Sequence, residues 1–215
     1  NPKSNNHTTG NFTRSILISD TAFNFATKPV IDTIDFYYGA NVLIPTRDSG
    51  ICLGYYNYID GLKMEAAVIV KYDKNFKKQW TALVPGITSS IILLIVQSHS
   101  GDYYVATCGY DTVETRKHPN YSKRCFQDIA LSRIDSVGRV LFTAFYGSEL
   151  CTETPFSMIQ DIDGGFIVSG EYNVTESNSQ CEVLCNELPQ DWLFKVDSLG
   201  QPAKRIAVTG VQEKN

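Results

Sequence analysis

The chain has little of what most enzymes use for chemistry. Its only histidines are His7, His99 and His118. None lies in a His-Glu-x-x-His segment, and no Gly-x-Ser-x-Gly segment occurs. Metalloprotease and α/β-hydrolase machinery are therefore excluded at the level of motif. There is no excess of positive charge: the net charge is −4. Nucleic-acid binding needs a concentrated basic face. The one basic cluster, Arg116-Lys117-His118 with Lys123-Arg124, reads as a solvated loop. The longest apolar run, Ile91 to Val96, is far short of the roughly 20 residues that span a bilayer. No membrane insertion is expected. No segment is low in complexity, and none shows a convincing helical period.

With two Met and two Trp against twelve Tyr and eleven Phe, the composition favours strands. What stands out is repetition. An apolar run ending in Asp occurs at Ile69 to Asp73, at Leu131 to Asp135 and at Leu193 to Asp197. Successive Asp residues are 62 positions apart both times. Gly86, Gly147 and Gly210 follow, and turns at Asp48-Ser49-Gly50, Ser100-Gly101-Asp102 and Asp163-Gly164-Gly165 precede. A fixed period of this kind means stacked units, none able to bury its own face alone.

Each unit reads as four strands. The first covers about 41–47, 50–57, 66–72 and 76–83. The second covers about 91–97, 102–108, 127–134 and 139–145. The third covers about 156–160, 165–171, 191–196 and 202–208. Third strands such as Ala66-Ala67-Val68-Ile69-Val70 are nearly continuous apolar runs, the pattern of strands covered on both faces. Strands three and four are joined by Asp135-Ser136-Val137-Gly138 and Asp197-Ser198-Leu199-Gly200. There Asp caps the turn and Gly supplies the left-handed position. In the first unit Asn75 is expected in that role. A half unit, Ser15 to Asp20 followed by Phe23-Asn24-Phe25, precedes the first, after a polar tail of residues 1–14. Long insertions at about 109–126 and 172–190 separate strands two and three of the later units. Insertions of that length are commonly functional or decorated.

Six Cys is an even number, and the chain opens on Asn with no signal-peptide pattern. The reading is a processed chain, or a piece of a longer one, with disulfides formed in an oxidising compartment. Cys108 and Cys125 stand at the two ends of one insertion and are the best-placed pair. Cys151, Cys181 and Cys185 compete for a second bridge. Cys52 fits a buried thiol. Zinc at Cys181-x-x-x-Cys185 is disfavoured, since no second pair or nearby His accompanies it.

The segments Asp163 to Gly170 and Asp191 to Gly200 resemble a β-propeller repeat of secreted bacterial proteins, of the Bacteroidetes type. The likeness covers the third unit well, the first two moderately and residues 1–14 not at all. It implies an all-β, propeller-like array of four-stranded antiparallel blades, about three and a half repeats, over 15–215. Three and a half blades do not close an ordinary propeller. A neighbour's strands, a longer chain or an open arrangement would each resolve that. O-glycosylation sites of such bacteria resemble Asp, Ser or Thr, then a small or aliphatic residue. By that likeness Thr21, Thr33, Thr112, Ser136 and Ser198 are candidates. Sequons at Asn6, Asn11, Asn120 and Asn173 are candidates for N-linked sugars.

Carboxylate pairs such as Asp161 with Asp163, or Glu149 with Glu153, are the material a glycosidase would use. Asp163 is already accounted for by its turn, and a calcium loop there would need further oxygen ligands. Tyr55-Tyr56-Tyr58 and Tyr103-Tyr104-Tyr110 alternate along strands, so half of each set is expected to face outward, where Tyr could stack on sugar rings or a protein partner. Blade-to-blade packing is the stronger reading for them, and core for Trp80 and Trp192. The expectation is a non-enzymatic, extracellular or cell-surface structural protein without cofactor. It would be a glycosylated subunit of a surface filament or head-to-tail homo-oligomer, with itself and glycans as its partners. The competing readings are a carbohydrate-binding or adhesin module of a larger secreted protein, and a glycosidase or lyase on a propeller scaffold.

Overall fold

The computed structural model describes residues 14–16, 30–32, 40–59, 64–84, 87–111, 128–147, 151–174, 176–177, 183–184 and 190–202. Every secondary-structure element among them is a strand, and all pairing is antiparallel. No described segment forms a helix long and apolar enough to cross a membrane.

Three consecutive meanders make up the body. The first sheet runs β3 (Ala40–Pro45), β4 (Ile51–Ile59), β5 (Met64–Tyr72) and β6 (Lys78–Val84). The second runs β7 (Ile87–Gln97), β8 (Tyr103–Asp111), β9 (Asp128–Ile134) and β10 (Val140–Tyr146). The third has β11 (Cys151–Gln160), β12 (Phe166–Val174) and β15 (Gln190–Val196). Of the expected fourth strand at 202–208 only Pro202 is described, and it bridges Val196. Two small hairpins complete the set. One pairs β1 (Arg14–Ile16) with β2 (Val30–Asp32), and the other pairs β13 (Glu176–Ser177) with β14 (Val183–Leu184). β1 meets the expected half-unit strand, Ser15 to Asp20, only at Ser15-Ile16; the rest of that strand lies outside the described residues, and the described partner of β1 is a segment the repeat assigns to no strand. Phe23-Asn24-Phe25 lies outside the described residues.

The first-to-second-strand turns and the third-to-fourth-strand turns fall at one end of each meander. Both kinds repeat their geometry. Thr46, Ser98 and Asp161 donate their N–H to the carbonyls of Gly50, Asp102 and Gly165 at 2.9, 2.7 and 2.8 Å. In the other set, Asp73, Asp135 and Asp197 donate to Lys77, Arg139 and Gln201 at 3.0, 2.9 and 2.9 Å. The carboxylate of each Asp also accepts two backbone N–H groups, two and four residues on, at 2.8–3.0 Å. That recurrence is the cap expected from sequence. The left-handed position is Gly138, Gly200 and, in the first sheet, Phe76 with φ 60°. Asn75 does not occupy it: once Asp73 fixes the cap, the fourth residue must turn left-handed whatever its side chain.

The sheets stack face on face. One cluster between the first and second sheets joins Cys52, Ala67, Ile69, Ala82 and Val84 to Ile95, Tyr103, Val105, Ala130 and Ile134. A second, between the second and third, joins Tyr104, Ala106 and Leu131 to Met158, Phe166, Val168 and Val196. Leu53, Tyr55, Val68, Val70 and Tyr72 form a third buried cluster on the other face of the first sheet. Residues 66–70 and 129–132 are all buried, as continuous apolar runs require. Tyr55, Tyr56, Tyr103 and Tyr104 are buried as well. The expected outward half of each Tyr set is absent among these four, because both faces of their strands are covered. Trp80 and Trp192 pack against the clusters between sheets.

A Cβ on Gly138 would lie 2.8 Å from the Trp80 ring of the preceding sheet, and one on Gly200 would lie 2.5 Å from Phe142. Both glycines also have positive φ. Gly138→Ala and Gly200→Ala should each lower stability by roughly 2 kcal/mol, from left-handed strain plus collision with the ring. Exposed Ser49, at φ 64°, should behave oppositely: Ser49→Gly should raise stability by up to about 1 kcal/mol. Urea unfolding of the three variants beside the parent checks both directions.

Candidate functional site: the turn end and the outer face of the third sheet

At the turn end each sheet carries a cation two residues before its turn Asp: Lys71, Arg133 and Lys195. Each holds a carboxylate of the first turn in the same sheet. Lys71 Nζ meets Asp48 Oδ2 at 2.8 Å and also donates to the Tyr72 carbonyl at 2.7 Å. Arg133 grips Asp102 Oδ2 through Nε and Nη2 at 2.9 and 2.7 Å. Lys195 bonds both Asp161 and Asp163, the latter at 2.6 Å. Sequence analysis missed this device. Its signal is visible within the quoted runs, where a basic residue interrupts the apolar pattern at the same place three times.

The same end also links neighbouring sheets. The backbone N–H of Arg47 donates to Gln97 Oε1 of the next sheet at 2.8 Å, and that of His99 donates to Gln160 Oε1 at 2.7 Å. Trp80 Nε1 donates to the Ser136 carbonyl at 3.0 Å, and the Tyr104 hydroxyl to the Ser198 carbonyl at 2.8 Å. Arg133 Nη1 reaches the same Ser198 carbonyl at 3.1 Å.

These bonds set the charge states. The Lys71 hydrogen bond, followed by that from Thr46, holds Asp48 down to about 2. Lys195 holds Asp161 and Asp163 below the ordinary carboxylate range, and the Arg139 backbone N–H does the same for Asp135. A general acid needs the reverse shift, so Asp161 and Asp163 are built as turn anchors. Asp163 Oδ1 accepts the Gly165 N–H at 2.9 Å, and Asp161 Oδ1 that of Ile162 at 2.6 Å. Burial pushes the Cys52 and Cys108 thiols up to about 12. Both therefore stay protonated near neutral pH and are poor nucleophiles. No three His, Cys, Asp or Glu side chains gather as a metal shell among the described residues.

Among the described residues no disulfide is formed. Cys108 Sγ donates to the Glu153 carbonyl at 3.3 Å, while Cys125, its expected partner, lies outside the described residues. Cys181 and Cys185 also lie outside, and Cys151 opens β11 opposite Val174. Of the candidate glycosylation residues, Ser136 and Ser198 sit exposed on equivalent turns. Asn173 is within β12, paired with Thr152, where an insertion was expected to begin. Asn6, Asn11, Asn120, Thr21, Thr33 and Thr112 lie outside the described residues.

The third sheet differs from the others in one respect. Its β15 alternates exposed and partly buried positions from Asp191 to Phe194, whereas β5 and β9 are buried on both sides. Ile159 and Leu193 point away from the second sheet and are 58 % and 59 % exposed. On the adjoining turns Ile162 is 96 % exposed and Leu199 62 %. Neither the family models nor the curated proteins contain a match to this chain.

Lys71 is almost wholly buried while the Asp48 side chain is half exposed. Removing the acid strands a buried ammonium, whereas removing the lysine leaves a solvated carboxylate. Asp48→Ala should therefore cost about 2–3 kcal/mol and Lys71→Met about 1 or less, discounted for the exposed side. Because the Asp48 carboxyl is held below its unfolded value of 3.8, its stabilisation is present above about pH 4 and is lost as pH falls toward 2. Melting temperatures between pH 7 and pH 2 should fall steeply below pH 4 in the parent and less steeply in Asp48→Asn.

Proposed function

We propose that the chain is a non-enzymatic structural protein of the propeller-like repeat class, about three and a half blades, that works by assembling with copies of itself at a cell surface. The observation that carries this reading is the exposed outer face of the third sheet. The equivalent faces of the first two sheets are each covered by the next sheet, yet Ile159 and Leu193 face solvent. Burial of apolar surface is the main drive for stacking in repeat proteins. An end left open favours association over a solitary life.

The side chains described at the turn end support the same reading. Their carboxylates are engaged by Lys71, Arg133 and Lys195, and their geometry serves register. Exposed Ser136 and Ser198 on repeated turns are where surface sugars would be carried, and residues 1–14 would be the tail that a neighbour holds. In this reading the protein works outside the cell, as a glycosylated filament subunit.

Electron microscopy of the native material beside an intact-mass spectrum tests the reading. Filaments, with a mass above that of the bare polypeptide, are the expected result. Deleting residues 1–14 should abolish them. Monomers at the bare mass that bind on a glycan array would replace it with a carbohydrate-binding module.

A further inference from the structure

We propose that the outer face of the third sheet is the surface on which a second copy of this chain packs, like face against like face. The proposal rests on the self-assembly reading and adds a two-fold contact that pairs chains, beside the tail contact that would join them into a filament. Five of the nine large apolar side chains exposed among the described residues belong to this sheet and its turns: Phe156, Ile159, Ile162, Leu193 and Leu199. The other four are scattered over the first two sheets. The face is the equivalent of one that the chain has already covered twice. Cys52 and Tyr104 sit in the middle of the two formed stacks, and Ile167 is their counterpart on the open one. Ile159 lies beside Ile167 across the β11–β12 ladder, Lys195 flanks Ile167 on β15, and Leu193 lies two residues further along, opposite Ser169.

The partner's matching surface follows from what is taken. Both inter-sheet faces are closed, and the other face of the first sheet is the buried cluster around Val68 and Val70. A repeat-like, head-to-tail continuation also lacks its amide. Where Gln97 and Gln160 accept a turn N–H from the sheet before, the first sheet has Pro45. Among the described residues, what a second copy does offer is the same face. Two such faces meet about a two-fold axis, which is how most homodimers form. The acidic far end, with Glu171 opposite Asp191, remains at the solvated rim.

The test is sedimentation velocity over a concentration series for the full chain and for Ile159→Lys and Leu193→Lys. Leu141→Lys, an exposed position in the second sheet, is the control, and circular dichroism and melting confirm folding. The wild type should associate. Each sheet-three variant should weaken association by roughly tenfold or more while the control does not. Association unchanged in both variants overturns this contact and leaves the self-assembly reading standing. A wild type that stays monomeric throughout overturns both, and gives the face to another polypeptide or to the chain's own remaining residues.

Discussion

A cation reaching across one strand to a turn carboxylate sets the frame of each sheet. Antiparallel ladders specify register weakly where side chains on both faces are apolar, because a slip only exchanges one buried set for another. Lys71, Arg133 and Lys195 remove that freedom. Each can reach its carboxylate only when the third strand is aligned with the turn between strands one and two. With register fixed, the two faces of every strand are assigned. Tyr103 then meets Trp80 edge-on at 5.4 Å on one side, while Tyr104 packs on Phe166 at 4.0 Å on the other.

The three versions of this device show coupled choices. In the first and third sheets the acid sits at the middle of the turn and glycine closes it, at Gly50 and Gly165. A Cβ at Gly50 would collide with the Tyr72 carbonyl, and one at Gly165 with that of Val196. In the second sheet the closing residue is Asp102, which itself supplies the carboxylate, and Ser100 takes the middle place. The cation there is arginine, whose planar fork grips the carboxylate through two N–H groups. The longer side chain and the relocated acid go together.

Much of this was legible in the sequence. The period of 62, the turn chemistry and the two-sided burial of residues 66–70 followed from spacing and apolar runs alone. The interruption at Asp191, where the first sheet has Ala67, is a signal of a wet face that the reading of third strands as covered on both sides passed over. Other features were not legible. The role of Lys71 was one of them, because no local rule reveals a partner 23 positions earlier. Phe76 at a left-handed position contradicts its own preference and follows from Asp73. For the Tyr sets the stronger reading, packing between sheets, holds at Tyr103 and Tyr104, and only the expected outward half fails, since alternation tells which face a side chain takes but not whether that face is covered. The outer face of the third sheet needed the stack itself, because exposure there is defined by what the other two sheets have and it does not.

Each sheet is a meander, broken in the third only by the β13–β14 hairpin between β12 and β15, with its two short turns at one end. Nearly all ladder pairing is therefore settled within a single unit, and contacts between units follow chain order. Proteins whose contacts are local search fewer long-range closures and fold faster. A chain emerging from the ribosome can complete the first sheet before the second is made, and then offer it as a finished template. Of the three sheets, the third is then the last to form, and its outer face is presented only with the other two already in place behind it.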